Sequence, residues 1–249
     1  MLNILFDGDM LVFESCSSVE TPIDWGEGLW TLHANASDAE VKVEDKVATI
    51  TNLILDKMNY EGQYKIILCF SDMKKNFRKT ILPTYKANRI GKRKPICYME
   101  VRNWCMENYN YVTMPALEAD DCVGILATKY AGHEVHTSGD KDFKSIPGVF
   151  YDFLHNDLYH ISEEEADKWF YTQCLIGDTA DNYSGCPGIG PKTAEKIFKK
   201  EGASWQTVLN QFLRKGFTKE EALQQARVAR ILRITDMTKN GSPMWHPKQ

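Results

Sequence analysis

The chain has 249 residues, of which 43% are hydrophobic and 26% charged, and a net charge of −4. This is the composition of an ordinary globular protein, and it excludes disordered, collagen-like and coiled-coil chains. The apolar runs are too short to span a membrane, and the first residues lack the basic region of a signal peptide, so we expect a cytoplasmic protein. Seven cysteines without a C-x-x-C pair disfavour a disulfide framework and a structural zinc site.

Five short apolar or β-branched runs have the length of β-strands, namely residues 2–6, 65–70, 109–113, 134–137 and 149–153. Between most of them, apolar residues recur at helical spacing, in residues 46–59, 98–108, 119–131 and 162–175. Strands that alternate with helices predict an α/β fold, in which helices cover both faces of a mostly parallel sheet. Residues 20–45 show no clear period and are predicted to be loop and helix fragments.

The pattern changes after residue 175, where glycines punctuate helical patterns at 193–200, 205–215 and 219–234. We therefore predict a core over residues 1–175 and a small helical subdomain over residues 176–237. The polar residues 238–249 are predicted to form a loosely held tail.

Nine carboxylates lie in five short patches: Asp7, Asp72, Glu118, Asp120, Asp121, Asp140, Asp142, Asp178 and Asp181. Three of the patches follow predicted strands, whose carboxyl ends meet at one edge of a parallel sheet. The pairs Glu118/Asp121 and Asp178/Asp181 have the i, i+3 spacing that places two side chains on one face of a helical turn. The helix dipole alone would explain acids at a helix start, but the convergence of all five patches predicts a cation site.

Residues 74–94 carry nine cations and no acid: Lys74, Lys75, Arg78, Lys79, Lys86, Arg89, Lys92, Arg93 and Lys94. Such a run is often only a solvated surface. Here, however, Tyr85 and apolar neighbours interleave with the cations, which favours a phosphate-binding strip with an aromatic ring that stacks on a base. The predicted DNA contacts in this strip are Arg78, Tyr85, Lys92, Arg93 and Lys94.

A glycine-rich turn at residues 185–190 leads into a basic helix with Pro191 near its first position, where a missing N–H costs nothing. Glycines there let a phosphate approach backbone amides at the positive end of the helix. A plain glycine-rich linker is the alternative. The turn lacks the spacing of a Walker loop, so we expect a DNA strand as its ligand, contacted by Gly188, Gly190, Lys192, Thr193 and Lys196.

Several of these patches resemble the motifs of the flap endonucleases and 5′-3′ exonucleases, and most closely those of the stand-alone 5′-3′ exonucleases of lytic bacteriophages. Each match is weak alone, but the ordered set is specific and covers about residues 1–200. The matching segments are Phe6-Asp7-Gly8-Asp9, Phe70-Ser71-Asp72, Phe77-Arg78, Pro83-Thr84-Tyr85-Lys86-Ala87-Asn88-Arg89, Glu118-Ala119-Asp120-Asp121, Ser138-Gly139-Asp140-Lys141-Asp142 and Gly177-Asp178-Thr179-Ala180-Asp181-Asn182.

The resemblance implies a PIN-like nuclease core, an arch-like basic segment at about 74–100, and a C-terminal DNA-binding subdomain of helix-turn-helix type. It implies two Mg²⁺ ions, for which Mn²⁺ substitutes, and a K⁺ ion at the Gly-Ile-Gly turn. Lys86 and Arg89 would contact the scissile phosphate. One metal would be surrounded by Asp7, Asp72, Glu118, Asp120 and Asp140 or Asp142, and the second would be held by Asp142, Asp178 and Asp181.

The implied function is metal-dependent hydrolysis from 5′ ends, nicks or gaps of duplex DNA in phage replication or recombination, by a monomer in the host cytoplasm. Removal of RNA primers from RNA–DNA hybrids and cutting of 5′ flaps are further implied activities. Only 28 residues separate Arg89 from Glu118, which favours exonucleolytic attack over flap cutting. A PIN-type toxin-like ribonuclease and a non-enzymatic DNA-end-binding protein remain alternatives.

Overall fold

The computed structural model describes residues 1–238, Pro243 and residues 245–247. These residues form eight strands: β1 (Leu2–Asp7), β2 (Thr21–Gly26), β3 (Leu29–His33), β4 (Tyr64–Phe70), β5 (Tyr111–Thr113), β6 (Glu134–Ser138), β7 (Gly148–Asp152) and β8 (Asp157–Ile161). They also form nine α-helices: α1 (Gly8–Ser18), α2 (Ala36–Met58), α3 (Arg78–Ile81), α4 (Tyr98–Asn108), α5 (Ala119–Lys129), α6 (Glu163–Ile176), α7 (Pro191–Glu201), α8 (Trp205–Arg214) and α9 (Lys219–Ala229).

The central sheet has the strand order β5-β4-β1-β6-β7-β8, and its strands run parallel except for β8, which pairs antiparallel with β7. The predicted mostly parallel α/β fold is therefore confirmed. The edge strand β8 was not predicted, because its residues are partly exposed and carry no apolar run. Since β1 lies between β4 and β6, Asp7 ends one of the interior strands of the sheet.

Alternate side chains of β1 pack on opposite faces of the sheet. Ile4 and Phe6 join the apolar cluster formed with α1, α2 and α4, whereas Leu5 joins the cluster formed with α5. Each of these side chains is fully buried, which is worth about 1.5–3 kcal/mol per residue in removed apolar surface. The two apolar layers hold the carboxyl ends of the parallel strands in a fixed relation.

The prediction for residues 20–45 is wrong for the first part, which forms the β2–β3 hairpin, whereas the predicted helical part is confirmed by α2. Nearly all residues of both strands are exposed. A strand with water on both faces needs no alternation of apolar and polar residues, so its sequence shows no period. α2 begins at Ala36, ten residues before the predicted helix, after the Asn35 side chain has capped the Ser37 N–H.

The C-terminal helices share an apolar cluster that does not respect the predicted boundary at residue 175. Phe170 and Cys174 of α6 pack in this cluster with Val208 and Phe212 of α8, so α6 belongs to the helical layer at least as much as to the core. α9 ends at Ala229 and not at residue 234 as predicted. Beyond it, residues 231–232 return to the sheet and pack in the cluster that contains α5.

The predicted loose tail is corrected at Trp245. This side chain is buried and its ring centroid lies 5.0 Å from that of Phe170 and 5.5 Å from that of Trp205. Residues 239–242, 244, 248 and 249 lie outside the described residues. Among the helices of the described chain, none has both the length and the apolar character that crossing a bilayer requires.

Gly124 provides a test of the contact between α5 and the returning C-terminal segment. A methyl group at this position would overlap the carbonyl oxygen of Leu232 and lie 2.9 Å from Cγ2 of Ile231. We expect Gly124→Ala to lower the free energy of unfolding by about 1–3 kcal/mol through overpacking, although alanine favours a helix. Urea unfolding measures this loss, with Lys129→Ala on the exposed side of α5 as the control. A Gly124→Ala protein as stable as the control would contradict the close packing.

Candidate active site

A cavity of about 880 Å³ lies beyond the carboxyl ends of β1 and β6. Seven of the nine predicted carboxylates line it: Asp7, Glu118, Asp120, Asp140, Asp142, Asp178 and Asp181. Six cations of the basic strip line it as well: Arg78, Lys86, Arg89, Lys92, Arg93 and Lys94. The fold thus brings opposite charges from distant parts of the chain to one place.

Asp7 is held rigidly at the junction of β1 and α1. One carboxylate oxygen caps α1 by accepting the Met10 N–H at 3.0 Å, and the other accepts the Ser138 hydroxyl at 3.1 Å. Burial raises the pKa of Asp7 to about 7, and the nearby carboxylates of Asp9 and Asp140 add to this effect. Asp7 is therefore an acid that keeps its proton up to neutral pH unless a cation compensates its charge.

Two other acids that line the cavity, Asp142 and Asp120, also have raised pKa values. Burial raises the pKa of Asp142 to about 7, with Asp140 as the next cause, and burial together with Asp7 raises the pKa of Asp120. Among the described residues, the buried Oδ1 atom of Asp142 accepts no hydrogen bond. The part of the cavity lined by Asp7, Asp120, Asp140 and Asp142 thus holds more acidic groups than the neighbouring residues neutralise, and we call it the repulsive wall.

Other acids of the cavity are neutralised by the basic strip. Lys86 pairs with Glu118, and the Arg89 guanidinium donates to Asp181 at 2.6 Å. The Tyr85 hydroxyl lies 2.9 Å from Glu118 and 2.8 Å from Asp181. Burial alone would raise the pKa of Glu118, but the Lys86 ammonium and a buried guanidinium outweigh it and lower the pKa to about 2.

Within the part of the chain that the structure describes, no group of three or more His, Cys, Asp or Glu side chains is arranged to hold a metal ion. Lys86, Arg89 and Tyr85 engage oxygens of Glu118 and Asp181. The cavity therefore gathers candidate ligands without collecting them around one point.

The predictions for Asp121 and Arg78 are wrong. Asp121 is completely buried, and its two oxygens accept bonds of 2.7 and 2.6 Å from the Arg78 guanidinium. Arg78 borders the cavity, but it is only 3% exposed and its guanidinium is engaged by Asp121, so it has little surface to offer to DNA. The reason is geometric: adjacent residues of a helical turn point in different directions. Asp120 consequently faces the cavity while Asp121 faces the interior.

Asp72 is not among the residues that line the cavity, and its role as a metal ligand stays a prediction. Its carboxylate accepts the Lys74 N–H at 2.8 Å and the Ala116 N–H at 2.7 Å. These bonds, with that from Ala116 the stronger cause, lower the pKa of Asp72. The carboxylate organises the turn after β4. The position of Asp72 in the sequence, two residues after a strand, does not reveal this role.

Tyr85 is only 2% exposed, so the prediction that its ring stacks on a base is wrong. The ring packs in the apolar cluster of the C-terminal helices. Its hydroxyl reaches the cavity to contact the two acids described above. Tyr85 is an aromatic support for the acidic site.

Asp178 and Asp181 lie in a loop, not on the helical turn that their spacing predicted. The Asp178 side chain accepts the Ala180 N–H at 2.6 Å and the Asp181 N–H at 3.3 Å. Backbone bonds between Asp178 and Tyr183, of 2.9 and 3.0 Å, close the loop. Both acids nevertheless reach the cavity.

Asn88 and Asn182 were missed as contributors to the site, although both belong to segments that carried the family resemblance. Asn88 donates to the Thr179 carbonyl at 2.9 Å, and Asn182 donates to the Thr84 carbonyl at 2.7 Å. Both asparagines stand next to charged residues within those motifs, and this position could have indicated that they contribute to the site.

The glycine-rich turn is built as predicted at the start of α7. Gly190 is the N-cap residue and Pro191 is the first residue of the helix, while Gly188 has the left-handed φ of 78° that glycine tolerates. The side chains of Lys192, Thr193 and Lys196 are exposed. None of these residues lines the acidic cavity, and their contact with DNA stays a prediction.

Comparisons with known proteins identify the relatives of this chain. Residues 30–148 match the family model of the 5′-3′ exonuclease N-terminal, resolvase-like domain. The exonuclease of Escherichia phage T7 is 31% identical over 94% of this chain and 89% of its own length. The chain belongs to the 5′-3′ exonuclease family. The exodeoxyribonuclease of Enterobacteria phage T3 is also 31% identical, over 94% of this chain and 88% of its own length.

The fold of this 5′-3′ exonuclease also has a solved counterpart. The D15 protein of phage T5, co-crystallised with metal ions, superposes with a TM-score of 0.66 at 18% identity and covers 93% of this chain and 90% of its own. Family membership confirms the predicted resemblance and makes the chain an enzyme, a nuclease with 5′-3′ exonuclease activity. The ribonuclease-toxin and non-enzymatic alternatives are therefore set aside.

The neighbouring acids Asp120 and Asp121 should respond oppositely to loss of charge. Asp121→Asn removes the bidentate partner of the buried Arg78 guanidinium, which keeps only the ion pair with Glu118 at 3.1 Å, and we expect unfolding to become easier by about 3–5 kcal/mol. Asp120→Asn replaces an acid whose charged form is disfavoured by burial and by Asp7, and it should leave stability unchanged or raise it. Urea unfolding in EDTA at neutral pH measures both. Equal losses in the two variants would contradict the assigned orientations.

Proposed function

We propose that this 5′-3′ exonuclease hydrolyses phosphodiesters at 5′ ends, nicks and gaps of duplex DNA, with divalent cations held by the carboxylates of the cavity. The observation that carries the proposal is the meeting of eight carboxylates, the seven predicted ones and Asp9, with six cations of the basic strip in one cavity. The T5 protein has been crystallised with metal ions, and also with DNA and metal ions. These crystal structures of the T5 protein support both parts of the proposal.

The residues of the cavity fit hard divalent cations. The predicted ligand atoms are all carboxylate oxygens, which suit Mg²⁺ and Mn²⁺. The unbonded Oδ1 atom of Asp142 and the raised pKa of Asp7 are signs of charge that a cation would compensate. We propose two ions. One would be surrounded by Asp7, Glu118, Asp120 and Asp140 or Asp142, and the other would be held by Asp142, Asp178 and Asp181.

Divalent cations at these positions would supply an activated water and stabilise the leaving oxygen. The chain's own residues bind and orient the substrate phosphate. Lys86 is mostly buried beside Glu118, whereas Arg89 is half exposed beside Asp181. A phosphate that enters the cavity competes for these two cations. Their transfer from carboxylate to phosphate releases the oxygens of Glu118 and Asp181 for metal binding, so substrate and metal binding support each other.

The path of the DNA follows the exposed cations. Lys92, Arg93 and Lys94 lie at the cavity with exposed side chains, and such contacts position a phosphate backbone without reading its sequence. The glycine-rich turn before α7 offers backbone amides to the duplex. We also propose that this turn holds a K⁺ ion.

Several finer activities rest on the family resemblance. We propose a monomer in the host cytoplasm that acts in phage replication or recombination and also removes RNA primers from RNA–DNA hybrids. The short stretch between Arg89 and Glu118 favours attack at 5′ ends over cutting of 5′ flaps.

The ligand assignment is tested with matched acid-to-amide variants. We expect Asp120→Asn and Asp178→Asn to lower digestion of a 5′-labelled duplex in Mg²⁺ by about 100-fold or more, or about 2.7 kcal/mol of transition-state stabilisation. Asp56→Asn is the matched control, since this carboxylate is exposed on α2 and does not line the cavity, and it should retain activity. An EDTA reaction gives the background. Full activity of Asp178→Asn would overturn the second metal site.

A salt titration tests whether the cations of the basic strip that line the cavity contact DNA, in contrast to those outside it. Lys92→Ala with Lys94→Ala should reduce the slope of log affinity against log salt by about 0.9 for each lost phosphate contact on duplex DNA. Lys74→Ala with Lys75→Ala removes the same charge outside the cavity and is the control. Binding is measured in EDTA to prevent digestion. Equal slopes in both double variants would show that the cavity cations do not track the DNA.

A further inference from the structure

Two segments almost a hundred residues apart in sequence lie side by side at the cavity: residues 84–89 of the basic strip and the acidic loop 178–182. The Lys86 N–H donates to the Asp181 carbonyl at 2.9 Å. Asn88 donates to the carbonyls of Thr179 and Ala180, at 2.9 and 3.3 Å. The two segments are therefore joined through backbone groups as well as through ion pairs.

The opposite side of this contact is formed by another asparagine. Asn182 donates from its side chain to the Thr84 carbonyl at 2.7 Å. Both Asn182 and Lys86 have left-handed backbones, with φ of 58° and 53°, which is uncommon for residues other than glycine. Such conformations persist where surrounding contacts hold them. The two asparagine amides supply contacts of this kind.

The amide bonds differ from the ion pairs in what the substrate does to them. A phosphate competes for the charges of Lys86 and Arg89, but the neutral amide of Asn88 bonds to backbone carbonyls. This link can therefore persist when the cations turn from carboxylate to phosphate. It would keep Asp178 and Asp181 in place at the moment at which the ion pairs are exchanged.

We propose that Asn88 is a positioning residue, which holds the loop 178–182 so that Asp178 and Asp181 present their carboxylates to a divalent cation. Asn182 acts with it from the other segment. The inference rests on the proposed role of these two acids as metal ligands. In this view, the basic strip preorganises the acidic loop through neutral hydrogen bonds, independently of the charges of the strip.

Binding of Mn²⁺ to the DNA-free protein tests this role without turnover. We expect Asn88→Ala to weaken the weaker Mn²⁺ site by about 3- to 10-fold, since two hydrogen bonds that hold the loop are lost. The free ion is followed by electron paramagnetic resonance. Asn182→Ala should give the same result and serves if Asn88→Ala fails to fold. The matched control is Asn108→Ala, an exposed asparagine that donates to the Trp104 carbonyl at 2.9 Å on α4.

Kinetics separate positioning from substrate binding. In Asn88→Ala, kcat at limiting Mg²⁺ should fall and recover at saturating Mg²⁺, while KM for DNA at saturating Mg²⁺ and the affinity for duplex in EDTA stay unchanged. Unchanged Mn²⁺ affinity in both asparagine variants would overturn the inference, and so would a parallel loss of DNA affinity. An inactive wild type, or an active Asp178→Asn variant, would instead overturn the proposed function.

Discussion

The buried ion pair between Arg78 and Asp121 is the interaction on which the architecture of the site depends. Arg78 also donates to the carbonyls of Val228 and Arg230, at 3.0 and 2.5 Å, and Asp121 accepts the Leu232 N–H at 3.1 Å. One pair thus joins the basic strip, the start of α5 and the segment after α9. Removing one partner of such a pair leaves an uncompensated buried charge, which is strongly unfavourable. The pair therefore constrains these three elements to one arrangement.

That arrangement decides what the neighbouring acids do. With Asp121 turned inward, Glu118 and Asp120 are directed to the cavity, where they experience different fields. Glu118 meets Lys86, and its pKa falls to about 2. Asp120 meets Asp7 in a buried setting, and its pKa rises. Three carboxylates within four residues thus have three roles: an ion pair with the basic strip, a member of the repulsive wall and a structural anchor.

The cavity combines acids in excess with cations from the same chain, and this combination explains how one site serves both metal and phosphate. Acids that were only repulsive would make the fold costly to maintain. Cations that were only paired would leave nothing for the substrate. Because Lys86 and Arg89 come from a strip that also lines the DNA path, their exchange between carboxylate and phosphate links the two binding events. The neutral bonds of Asn88 and Asn182 keep the acidic loop in place during this exchange.

The alternation of strands and helices, the mostly parallel sheet, the family and seven of the acids that line the cavity could all be predicted from the sequence. These features follow from local periodicity and from motifs in order, which are written along the chain. The tertiary structure was needed to show that Arg78, Tyr85 and Asp121 are buried and that Asp72 organises a turn, because a residue type alone does not reveal whether its side chain is buried. It also decided that Asp178 and Asp181 lie in a loop, since i, i+3 spacing occurs there too. The β2–β3 hairpin escaped sequence reasoning for the converse reason: with both faces in water, no apolar pattern is required of it.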